Sequence, residues 1–296
     1  MKKTFLSLIL FASLFFGLAC QADEFVGVAV DQSVFSFNLN PKENKEFSLR
    51  VKNISKLEQK VFLETQDISI EENNKVSFLP AANEINGMKD WIKSEEKYWV
   101  FGPGEEKEVK LNVDVPEKAI PGSHFAVLLV RAVSNATAEN ILRPIVEGKI
   151  GVEILVNVGG DISGKGKIVD FQAPVLAEKK IILKTEFQNE GTIHYIPHGE
   201  IEIKNIFFGK EKKINIASHF VFPGRKYLFE ENFDVESLLG IYTAKASFVD
   251  GEGSIHSSSR VIFGKYSLIV ILFIMVSIFV IFEVFCKITK KKNEKN

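Results

Sequence analysis

Cysteine is almost missing from this chain. Of its 296 residues only Cys20 and Cys286 carry thiols, one near each end. Everything between them must fold without a disulfide and offers no thiol as a nucleophile or zinc ligand. Histidine is sparse as well, with five in all. His194 and His198 are spaced i, i+4, but Pro197 between them works against a helix, and the glutamate of an H-E-x-x-H site is lacking. His124, His219 and His256 are scattered. No metal or cofactor is therefore expected. There is also no G-x-S-x-G elbow, no phosphate loop and no calcium-loop spacing of aspartates. The carboxylates alternate with apolar residues, as on solvated strand faces, so an enzyme is not expected either. An excess of positive charge is missing too. The chain has 37 basic and 38 acidic side chains. Lys2, Lys3, five lysines after Cys286, Glu283 and Glu294 lie outside the central part, which keeps a net charge of about −6. Nucleic acid is excluded as a partner, and docking on anionic headgroups is disfavoured.

What is present begins with two apolar runs. Ser267–Phe285 carries one charge, Glu283, and as a helix would span about 29 Å, close to the thickness of a bilayer core. Lysines 287, 290, 291 and 292 follow and place that end in the cytoplasm. Glu283 falls near the inner interface, where headgroup water is within reach. At the other end Lys2 and Lys3 precede the apolar stretch Phe5–Leu18, and Ala19, Cys20 and Ala22 are small, the pattern of a secretory signal. Cleavage before Asp23 fits an A-x-A-like site. Lipidation of Cys20 is the alternative, and Gly17 is a poor residue for it. Cys286 is a juxtamembrane thiol, read as passive rather than acylated.

Between these ends the period is two. Phe47, Leu49 and Val51 alternate with Ser48, Arg50 and Lys52, and Val109, Leu111, Val113 and Val115 with Lys110, Asn112 and Asp114. Strands are also expected at 34–39, 61–70, 98–101, 125–133 and 150–158, separated by turns such as Gly102-Pro103-Gly104 and Pro121-Gly122. Gly159-Gly160 and Gly164-Lys165-Gly166 read as a flexible joint. The pattern then restarts, with strands expected at 169–171, 181–187, 201–208, 214–217, 219–222, 227–233, 242–248 and 260–263, and a short helical piece at 235–239. The expected fold is all-β: two immunoglobulin-like antiparallel sandwiches in tandem, then one transmembrane helix. The segments are a signal peptide over 1–22, a first sandwich over 23–160, a second over 161–264, the membrane helix over 265–286 and a basic cytoplasmic tail over 287–296.

Trp91, Tyr98 and Trp99 are the candidate ligand contacts, because aromatic rings stack on sugars and dominate protein hot spots. The competing reading places the tryptophans in the sandwich core. Asn53-Ile54-Ser55 and Asn135-Ala136-Thr137 match the glycosylation sequon, with a turn role the better reading for Asn53.

Two passages carry a resemblance. Trp91-Ile92, Gly102-Pro103-Gly104-Glu105, Val115-Pro116 and Pro121-Gly122-Ser123-His124-Phe125 form the first. Phe187-Gln188-Asn189-Glu190-Gly191-Thr192-Ile193-His194, followed by Pro197 and Gly199, forms the second. Together they resemble the bacterial DUF916, or WxL-interacting, cell-surface proteins, across nearly the whole chain. Where that family often has glycines this chain has Ala126-Val127. The resemblance implies a first domain associated with peptidoglycan and a second with a surface-protein partner. It assigns no binding residue, and the motif residues read as turn chemistry. The resulting expectation is a single-pass, non-catalytic envelope protein with an extracellular ectodomain that binds wall polymer or another surface protein. The alternatives are a tethered chaperone that completes partner subunits by strand addition, and a sensing ectodomain. The last is disfavoured because only about ten residues follow Cys286, too few for a signalling domain.

Overall fold

The computed structural model describes residues 26–78, 86–134, 147–207, 209–235 and 237–293. The signal segment with Cys20, and the sequon at Asn135, lie outside the described residues.

The two-residue periodicity of the first half becomes two facing sheets. One is built from β1 (Val28–Val30), β3 (Asn44–Asn53), β9 (Glu106–Asp114) and β7 (Ile92–Ser94), in that order. The other runs β2 (Val34–Leu39), β11 (Glu147–Val158), β10 (Gly122–Ser134), β4 (Gln59–Asp67), β8 (Tyr98–Phe101). A small hairpin, β5 (Ser69–Ile70) with β6 (Val76–Ser77), follows β4. Leu49, Val51, Val109 and Val113 meet Val61, Phe101, Leu128, Val130 and Ile154 in the core between the sheets. β10 is long and apolar on both faces. Ala126, Leu128 and Val130 point into this core, while Phe125 and Val127 point out and belong to a separate cluster.

The second half repeats the plan. β12 (Gly166–Gln172), β14 (Lys180–Asn189) and β17 (Lys226–Asp234) form one sheet. β13 (Leu176–Ala177), β19 (Ile255–Gly264), β18 (Ile241–Val249), β15 (His198–Asn205) and β16 (Glu211–Asn215) form the other. Phenylalanine fills its core: Phe187 stacks on Phe248 with centroids 5.4 Å apart, and Phe229 tilts against Phe248 at 5.2 Å. Most pairings are antiparallel, but β2 joins β11 and β13 joins β19 in parallel, each at a sheet edge.

Two local expectations are corrected. Residues 219–222 are not a strand, and Val221 makes only an isolated bridge to Tyr195. Side chains of other segments take up the backbone there, as described below. Among the described residues of 235–239 the chain bends instead of coiling into a helix, and Ser237 Oγ accepts a hydrogen bond from Leu239 N. A serine that binds nearby backbone competes with helical bonding.

The last element is α1 (Ser267–Asn293). Its Ser267–Lys287 part is long and apolar enough to cross a membrane, and beyond Ser267 it is not buried against the rest of the chain. The helix runs past Cys286 into the lysines. Glu283 and Lys287, one turn apart, form an ion pair at 3.4 Å.

Candidate functional site

Strand geometry separates the three aromatic candidates. Side chains alternate across a strand, so Tyr98 and Trp99 on β8 must face opposite ways. Trp99, opposite Val61, packs against the first core and is partly buried. Trp91 ends a short 3-10 turn, also packs against that core, and lies 4.6 Å from the ring of His124. Tyr98 is 47% exposed on the outer face. The three therefore form no common platform, and both tryptophans sit partly buried against the first core.

Tyr98 has different neighbours. Phe62 on β4 is 5.8 Å away, Lys60 Nζ sits 5.6 Å from the Tyr98 ring, and the Arg131 guanidinium lies 4.7 Å over Phe62. Arg131 Nε donates to Glu64 Oε1 at 2.8 Å. The result is a small aromatic and cationic patch at the β8 edge. Lys107 Nζ donates to the carbonyl of Val100 at 2.5 Å and so caps an outward-facing acceptor on that edge.

Several motif residues shape turns and close backbone contacts. Gly102-Pro103-Gly104-Glu105 closes a tight turn, with Glu105 N donating to Gly102 O at 3.1 Å and Gly104 at φ 72°. Asn53 is fully buried there. Its Nδ2 donates to Leu57 O and Gly102 O, and its Oδ1 accepts from Ser55, which makes it a turn organiser and not a surface acceptor. Pro197 is buried just before β15, and Gly199 on β15 has Ser247 O 2.3 Å from where a Cβ would stand.

The remaining motif residues meet one another where the sandwiches join. Ser123 N donates to Thr192 O at 2.9 Å, and Thr192 N donates to Ser163 O at 2.7 Å. Gly122 sits at φ 120° with Thr192 O 3.0 Å from its missing Cβ, and a Cβ on Gly191 would stand 2.1 Å from Ser163 O. Asn189 holds this loop in shape. Its Nδ2 donates to Ile193 O and Val221 O, each at 2.8 Å, and its Oδ1 accepts from Gly191 N. The joint expected to be flexible is instead a close backbone contact, which is what the glycines permit.

His194 is the centre of this contact and is 2% exposed. Its ring lies among Phe125, Phe220 and Phe222, with the Phe220 ring at 5.4 Å. Ser123 has one hydroxyl proton and gives it to Asn157 Oδ1 at 2.7 Å. His194 Nδ1–H must then donate to Ser123 Oγ at 2.9 Å, which leaves Nε2 to accept from Ser36 Oγ at 2.9 Å. The backbone N of His194 also donates to Ser123 Oγ, at 2.6 Å, and Asn157 Nδ2 donates to His194 O at 3.0 Å. This is a neutral imidazole with both nitrogens satisfied. Burial holds its pKa down, from 6.5 to about 3. Asn74, in the β5–β6 turn, adds a second clasp, donating to Phe220 O at 2.8 Å and accepting from Phe222 N at 2.9 Å. Those two bonds and the one from Asn189 explain why residues 219–222 pair with no strand.

His198 is exposed and lies outside this network. Among the described residues no group of three His, Cys, Asp or Glu side chains could hold a metal ion. An open cleft of about 490 Å³ on the second sandwich is lined by Gln172, Leu176, Glu178, Lys180, Ile182 and Lys184, among others.

No family model and no curated sequence matches the chain. Solved structures do align with it. The class 5 fimbriae chaperone CfaA is 12% identical, with 79% of this chain and 98% of that chain covered and a TM-score of 0.38. The E. coli chaperone DraB is 12% identical over 79% and 96%, also at 0.38. The CsuC–CsuE chaperone–tip adhesion subunit complex of Acinetobacter baumannii is 12% identical over 80% and 98%, again at 0.38. Likeness at this level carries no argument about function or partners.

Ser36 and Asn157 were not singled out from the sequence, Ser123 entered only within the Pro121–Phe125 motif and Asn74 only as a turn residue. Asn157 gave one signal, as a polar residue inside the apolar run Ile154–Val158. It marks a strand face that something polar must cover.

Proposed function

We propose that the chain is a membrane-anchored, non-catalytic protein of the cell envelope. It holds two sandwiches outside the cell as a single arm and binds wall polymer or another surface protein with the first. The observation that carries this reading is the His194 joint. A buried imidazole hydrogen-bonded at both nitrogens between the sandwiches suits a module whose task is to hold a surface in place. Fixed placement raises effective concentration for ligands within reach.

The surface assigned to binding is the patch of Tyr98, Phe62, Lys60 and Arg131. Aromatic and arginine side chains supply most hot-spot energy, and here an exposed Tyr98 is flanked by half-buried Phe62, Lys60 and Arg131. It lies six residues along β10 from Phe125, roughly 20 Å from the joint. Trp91 and Trp99 support the sheet from its core side. The strand-adding chaperone is the weaker reading, because Lys107 occupies a carbonyl that an added strand at β8 would need.

The test places a photo-crosslinking amino acid at Tyr98 in the full chain on intact cells, with Ile255 as control. Ile255 is 73% exposed but belongs to the second sandwich. An adduct specific to position 98 is expected, either a protein or a polymer released by muramidase. Equal or no labelling at the two positions refutes the assignment.

A further inference from the structure

The end of the second sandwich nearest α1 is unusually apolar on its outside. Val175, Leu176, Ile206, Phe207, Leu239 and Tyr266 are 69%, 41%, 54%, 67%, 46% and 48% exposed. They come from four separate segments of the chain and gather at one place. Phe263 N donates to Val175 O at 2.8 Å, and Ile206 N donates to Ile241 O at 2.8 Å. Tyr266 N donates to Leu238 O at 3.1 Å, and Gly264 N donates to Gly240 O at 2.9 Å. Three of these bonds involve the end of β19 and the residues that lead into the helix, and the fourth ties Ile206 to the start of β18, paired beside that end.

The helix is also clamped to that end. Ser267, its first residue, is 5% exposed. Its Oγ accepts from Gly240 N at 2.7 Å and donates to Gly240 O at 2.8 Å. Two bonds from one side chain to one residue limit swivelling between sandwich and helix, so the apolar loops keep their place around the start of α1.

We infer that this collar docks on the lipid bilayer, with the loop at Ile206–Phe207 entering the interface beside α1. The inference rests on the reading of α1 as a membrane span. Exposed apolar patches on soluble domains mark interaction sites. This one is continuous with an apolar helix, which fixes its occupant as the surface that helix enters. Tyr266 stands where aromatic residues gather at membrane interfaces, one position before the span. Nearby exposed charges are mixed: Lys179, Lys210 and Lys265 against Glu178 and Asp234. Docking is therefore apolar and does not need anionic lipid, which fits the net negative charge of the central part. Side chains of this kind reach about 5–10 Å into the headgroup and acyl boundary.

The experiment uses the full chain in phosphatidylcholine vesicles, with Cys20→Ser and Cys286→Ser removing the native thiols. Single cysteines replace Phe207, Leu176, Ile255 or Phe279 and carry an environment-sensitive fluorophore. All four positions are exposed, so the substitutions leave both cores intact. Nitroxide lipids, labelled near the headgroup or deep in the chain, act as quenchers. The deep nitroxide should quench position 279, and the shallow one should quench 207 and 176 with a blue-shifted emission. Position 255 should keep its full signal. If 279 is quenched while 207 and 176 behave like 255, the collar does not dock and the inference falls, with the membrane span intact. If 279 itself is not quenched by the deep nitroxide, the span reading fails and takes this inference with it.

Discussion

Acidification should loosen the joint, by an amount the burial of His194 sets. An exposed histidine takes a proton near pH 6.5, whereas His194 in place does so only near about 3. Any state that exposes the ring therefore binds one more proton than the closed state between these values. Stability rises with pH where the open or unfolded state binds more protons. The contribution is complete above about pH 6.5 and is lost as pH falls toward 3, at about 1.4 kcal/mol per unit. At pH 5 the loss is about 2 kcal/mol, or roughly 4–8 °C in melting temperature for a unit of this size. Other groups add to the raw pH profile. His124 is also held low by burial, against hydrogen bonds to backbone carbonyls that act to raise it, and carboxylates titrate in the same range. The clean quantity is the difference between wild type and His194→Gln, which cannot take the proton and leaves the other groups in place. The variant should be less stable at pH 7.5, and its deficit should shrink by about 2 kcal/mol at pH 5. Thermal or urea unfolding of the full chain in detergent measures both. Hydrogen exchange at Thr192–His194 and Phe220–Phe222 locates the opening. A deficit that stays constant from pH 7.5 to 5 would show that His194 is not buried neutral at a closed joint.

Five further substitutions test the same structure. Ser123→Ala should cost about 2 kcal/mol, since it leaves the buried His194 Nδ1 without an acceptor inside the joint, while Asn157 Oδ1 keeps the bond from His194 N. Ser36→Ala should cost less than about 1 kcal/mol, because Ser36 is exposed and water can replace it; chemical denaturation ranks the two. Gly191→Ala should cost about 1–3 kcal/mol or more and expose residues 159–166 to protease, since its methyl would meet Ser163 O, whereas wild type should resist cutting there. Trp99→Ala should cost about 3 kcal/mol and Tyr98→Ala under about 1 kcal/mol, and equal melting temperatures for the two variants would contradict their placement on opposite faces.

Much of the architecture was legible because it is local. Alternation at Phe47–Lys52 and Val109–Asp114 specifies a half-buried strand whatever its partner. The turn at Gly102–Glu105 needs only Pro103 and a glycine with positive φ at 104. The apolar run at Ser267–Phe285 announces a membrane-length helix by length and composition. Where local cues failed, a distant group had intervened. Residues 219–222 have the composition of a strand, yet Asn74 and Asn189 take their backbone bonds.

The chain's own sequence thus determined the sandwiches, the turns and the apolar helix, since each follows from neighbours a few residues apart. Tertiary structure alone decided which face each aromatic shows, and that a glycine-rich linker meets the Asn189–His194 loop in a close backbone contact. The imidazole of His194 reaches Ser36, 158 positions away, and Ser123, 71 away. Hydrogen bonds across such separations depend on how two complete sheets come together, and no local pattern encodes that.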